Sequence, residues 1–76
     1  MKIRWSVVHD ADDDKGLPTI WSASINGRFW WICLNNEGRF ACEIKRGEDF
    51  SCLVVCKSLS SAKRWVSINY WKYQEG

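Results

Sequence analysis

Asn26-Gly27 stands between two apolar runs and is the strongest hairpin signal in the chain. A two-residue type I′ turn needs positive φ at both central positions, which Asn and Gly tolerate best. The turn sets a register. Ile25 falls opposite Arg28, Ala23 opposite Trp30, and Trp21 opposite Ile32. Asn36-Glu37-Gly38 then suits a three-residue loop with Gly38 in the left-handed region. It places Asn35 opposite Arg39, Leu34 opposite Phe40, and Ile32 opposite Cys42. Strand side chains alternate between faces. One face therefore carries Trp21, Ala23, Ile25, Trp30, Ile32, Leu34, Phe40, Cys42 and Ile44. The other carries Ser22, Ser24, Phe29, Trp31, Cys33, Arg39, Ala41, Glu43 and Lys45. The first set is a core face. The second is a wet face with two aromatics on it.

The flanking segments extend this sheet. Ile3–His9 predicts a first strand, with Ile3, Trp5 and Val7 on one face, and a polar loop follows over Asp10–Pro18. The remaining strands are expected at Thr19–Ile25, Arg28–Asn35, Arg39–Arg46 and Phe50–Cys56, with Gly47-Glu48-Asp49 turning the chain between the last two. The period then changes. Ser58 suits a helix N-cap, and Leu59, Ala62, Trp65, Val66, Asn69 and Tyr73 follow helical spacing. The pattern predicts a single domain over 1–76 of the α+β class. Its architecture is an antiparallel β-sheet of four to five strands with one C-terminal α-helix packed on one face.

A chain of 76 residues sits near the size at which one core is marginal. Its six tryptophans bring much of the area such a core needs. The net charge of +2 is too small to imply nucleic acid by itself. No apolar run approaches the ~20 residues of a bilayer span, and the N-terminus lacks a signal-peptide pattern. The expected location is cytoplasmic, where thiols stay reduced.

No residue pattern points to catalysis. Of Cys33, Cys42, Cys52 and Cys56, only the last two have the close spacing of a zinc knuckle. They lie within one strand, about 13 Å apart at strand rise. Buried free thiols are the expectation, with no metal and no cofactor. His9 has no cysteine in a nucleophile context beside it. The acidic run from Asp10 fails the calcium-loop pattern, because its sixth and twelfth positions hold Lys15 and Trp21. A non-enzyme is expected.

Two features point to binding instead. Asp12, Asp13 and Asp14 form an acidic prong suited to a basic partner surface. Phe29 and Trp31, with Arg39 beside them, have the composition of an interface hot spot. A second reading uses Arg39, Lys45, Lys63, Arg64 and Lys72 to contact nucleic acid.

The strands followed by Ser58-Leu59-Ser60-Ser61-Ala62-Lys63-Arg64-Trp65 resemble the three-stranded-sheet DNA-binding domains of the ethylene-response-factor and integrase arm-binding type. That resemblance covers 19–70 and implies DNA binding through the sheet or the basic helix. In size, α+β make-up and acidic loop, the chain also looks like small phage and mobile-element proteins, among them anti-CRISPR inhibitors. This likeness implies a protein-binding inhibitor that blocks a host defence or nucleic-acid-processing complex by surface occlusion. The expected partner is a host protein or nucleoprotein complex. DNA is the partner under the second reading. No membrane partner is expected, and the exposed sheet face offers a homodimer contact.

Overall fold

A computed structural model describes residues 3–8 and 14–73. Five strands run in the order β1 (Ser6–Val7), β2 (Ile20–Ile25), β3 (Arg28–Leu34), β4 (Phe40–Arg46) and β5 (Asp49–Cys56). Neighbours in sequence are neighbours in the sheet, and each pair is antiparallel. Helix α1 (Leu59–Asn69) follows and ends in a 3₁₀ turn over Tyr70–Tyr73. The class and architecture are those expected from the sequence.

Turn chemistry explains the meander. Asn26 (φ 50) and Gly27 (φ 82) both take positive φ, as a type I′ turn requires. Gly38 (φ 75) closes the next loop. There the Asn35 carboxamide oxygen accepts from the Glu37 and Arg39 backbone N–H groups at 2.9 and 3.0 Å. The third turn differs from expectation. Arg46 pairs with Asp49, so the turn holds only Gly47 and Glu48, and Asp49 begins β5. Positive φ at Gly47 permits this tighter type II′ connection.

The registers place Trp30 opposite Ala23 and Ile44, and Ile32 opposite Trp21 and Cys42. The resulting core joins Ile25, Trp30, Ile32, Cys42 and Ile44 of the sheet to Ala62 and Val66 of α1. Ser58 caps the helix: its hydroxyl accepts from the Ser61 N–H at 3.1 Å. The expected helical stripe splits at Asn69, whose side chain donates back to the Trp65 carbonyl at 2.9 Å. Beyond it the 3₁₀ turn carries Tyr73 edge-on against Trp30, with centroids 5.8 Å apart. Arg28 Nε donates to the Tyr73 carbonyl at 3.0 Å, which ties this end to β3.

Two expectations need correction. The first strand is Ser6–Val7 rather than Ile3–His9. It lies at the sheet edge, where ladder partners exist on one side only and short strands are common. Ile3 and Trp5 still pack on the core. Second, the thiols are not uniformly buried: Cys42 is buried, Cys33 and Cys56 half-buried, and Cys52 exposed.

Candidate protein-binding face

α1 packs against β3, β4 and β5 on the side of Trp30, Ile32, Cys42 and Ile44. Alternation sends the other side chains of those strands to the opposite face. Phe29 and Trp31 lie there, half-buried, beside each other on β3. Their rings meet edge-on at 5.6 Å. Phe50 reaches across from β5 and meets Trp31 edge-on at 5.0 Å. The three rings form one cluster centred on Trp31.

Phe50 is not singled out by the sequence pattern. Its face depends on a bulge. Cys42 pairs with Val54 and Glu43 with Cys52, so Leu53 is the extra residue on β5. One extra residue reverses the parity of everything before it. Phe50 therefore joins Trp31, while Leu53, Val54 and Cys56 pack toward the core. The alternation of aromatics at 29 and 31 was the available signal for the other two rings.

The Trp31 indole N–H is buried and has no hydrogen-bond partner among the described residues. Buried tryptophan N–H groups usually have one. Glu43 pairs with Trp31 across the ladder but accepts nothing from that N–H. Lys45, which pairs with Phe50, is exposed on the same face, and Arg39 is exposed at the far end of that face beside Asn35. Lys45 also lines an open depression of about 320 Å³, with Asn26, Gly27, Arg28, Phe29 and Gly47. Phe50 (41% exposed) and Val55 (45% exposed) complete the apolar surface of this face.

The other sequence candidates are dispersed. Asp12 and Asp13, like His9, lie outside the described residues, and Asp14 is exposed in a turn. Arg64 and Lys72 are exposed and Lys63 half-buried along the helix. They belong to the layer opposite Arg39 and Lys45, so the five basic residues do not share one surface. Lys72 Nζ lies 5.7 Å from the centroid of Trp71.

Two thiols, Cys42 and Cys33, are held protonated. Burial pushes Cys42 from 9.0 up to about 12, and the adjacent Cys56 adds to the shift. Burial raises Cys33 to about 11, with the Glu43 carboxylate contributing. Among the described residues no group of three or more His, Cys, Asp or Glu could hold a metal ion. Nor is any helix among them long and apolar enough to cross a membrane.

Among the described residues, these features define a small α+β domain with one packed and one open sheet face. No protein family, curated protein or solved structure matches this chain.

Proposed function

We propose that this protein is a non-enzymatic protein-binding module that occupies a partner's surface with the open face of its sheet. The observation that carries the reading is the Phe29–Trp31–Phe50 cluster on the side away from α1. Aromatic anchors ringed by polar groups are the usual energetic centre of a protein interface. Lys45 beside Phe50 and Arg39 at the far end of the face supply basic groups, with Glu43 between them opposite Trp31. The unpaired Trp31 N–H offers a donor to a partner acceptor once the neighbouring rings shift. The Cys33 and Cys42 thiols, pushed toward 11 and 12, are poor nucleophiles.

The more specific form of the proposal is a phage-encoded inhibitor that blocks a host complex, with Asp12, Asp13 and Asp14 as an acidic prong. It rests on likeness of size, composition and loop charge. The test is capture from a host extract, followed by affinity measurement with the purified partner. Trp31→Ala should weaken that complex by at least ~30-fold, the equivalent of a ~2 kcal/mol hot spot. Unchanged affinity in a folded Trp31→Ala protein would refute the open-face reading. Binding to bare duplex DNA that falls steeply with salt would transfer the function to the nucleic-acid alternative.

A further inference from the structure

β5 is an edge strand of eight residues, whereas the opposite edge, β1, has two. An edge strand presents backbone N–H and C=O groups that its own sheet leaves unpaired. Proteins usually guard such an edge with charge or proline. Phe50–Cys56 contains neither.

Ladder alternation identifies the outward groups. Asn35 N–H donates to the Arg39 carbonyl at 2.8 Å, so Arg39 turns its backbone toward β3. Ala41, Glu43 and Lys45 follow it, while Phe40, Cys42 and Ile44 turn toward β5. Their partners Cys56, Val54 and Ser51 therefore point inward. Phe50, Cys52 and Val55 direct their backbone groups away from the sheet.

We propose that β5 pairs antiparallel with β5 of a second copy, which makes a two-fold homodimer with one continuous ten-stranded sheet. Two observations select a second copy as the occupant. The strand ends are oppositely charged, with Glu48 and Asp49 before Phe50 and Lys57 after Cys56. An antiparallel two-fold sets each end against its opposite, twice. One register also satisfies backbone and faces on either side of the bulge: Phe50 lies opposite the second copy's Val55, and Ser51 opposite its Val54. Phe50 and Val55 are both outward-directed and both on the open face. In that same register Glu48 meets the second copy's Lys57. The two-fold axis then passes between Cys52 and Leu53, so the two bulges meet symmetrically. Phe50 and Val55, 41% and 45% exposed, gain a flanking cross-strand neighbour while the face itself stays open. The two aromatic clusters come to lie on one side of the joined sheet, so one dimer presents two anchors.

Sedimentation velocity under reductant, from roughly 10 μM to 1 mM, spans weak to moderate self-association. A dimer is expected. Val55→Pro removes an outward N–H without breaking a β4 bond, and Val55→Lys places charge at the contact. Both should give a folded monomer by circular dichroism. Glu48→Lys should raise the dimer dissociation constant about 3–30-fold, and adding Lys57→Glu should restore it. Amide exchange at Phe50 and Val55 should slow as concentration rises. A monomer throughout the range overturns the proposal. So does a dimer that survives both Val55 variants, or one that is lost in Trp31→Ala alone, which would place the contact on the sheet face.

Discussion

Trp30 and Trp31 are adjacent on β3, and truncating each should report which side of the sheet is packed. Trp30 is 1% exposed and meets Tyr73 edge-on. Trp30→Ala should cost about 3–5 kcal/mol through lost burial and the cavity left behind. At roughly 0.05–0.15 kcal/mol per residue, a domain of this length holds about 4–11 kcal/mol in total. That variant should be at the edge of folding. Trp31 is half-buried, so its burial contributes about half as much, ~1.5–2.5 kcal/mol. Its two edge-on contacts, to Phe29 and Phe50, add about 1–3 kcal/mol together. Truncation also removes a buried N–H that has no partner, which relieves about 1–3 kcal/mol of desolvation cost. The last two terms oppose each other, and the net cost of Trp31→Ala should be near 2 kcal/mol. Urea unfolding followed by far-ultraviolet circular dichroism measures both variants, with equal m-values expected. If Trp31→Ala costs as much as Trp30→Ala, Trp31 is core, and the open-face reasoning fails.

Ser58→Ala should lower stability by about 1 kcal/mol, because the hydroxyl acceptor for the Ser61 N–H is lost, whereas Ser58→Asp keeps an acceptor and should cost little; equal losses in the two variants would show the acceptor is not the cause. The Cys42 thiol is raised from 9.0 to about 12, so the folded state holds a proton that the unfolded state gives up first. This contribution is fully present below pH 9 and is lost between pH 9 and 12, at up to ~1.4 kcal/mol per pH unit. Cys42→Ala should flatten that part of the pH–stability curve, and an unchanged slope would remove Cys42 as its source. Exposed Cys52 should be alkylated first at pH 8, with Cys42 protected until unfolding; rapid labelling of Cys42 in the native protein would contradict its burial.

Local chemistry carries most of the fold in the sequence itself. Asn26-Gly27 and Asn36-Glu37-Gly38 demand particular turns, and each turn length imposes a register. Those registers separate Trp30, Ile32 and Cys42 from Phe29, Trp31 and Cys33, as the strand pairs show. Ser58 and the spacing of Ala62 and Val66 are likewise legible, since capping and helical period act over a few residues.

The candidate site is only partly legible. Phe29 and Trp31 follow from alternation, but Phe50 and its contact with Trp31 do not. The face of Phe50 depends on Leu53 being left over when β5 pairs with β4. A bulge is a property of two strands docked together, and nothing in Phe50–Cys56 alone specifies it. The same holds for the unpartnered Trp31 N–H and the exposure of Cys52, which depend on what neighbouring strands bring near. Sequence by itself determined the three central strands, the two turns between them and the two faces they carry, because these follow from short-range stereochemistry. Only the tertiary structure decided which rings join into one cluster, which residue of β5 is left over as a bulge, and how short the first edge strand is, because packing between distant segments sets all three.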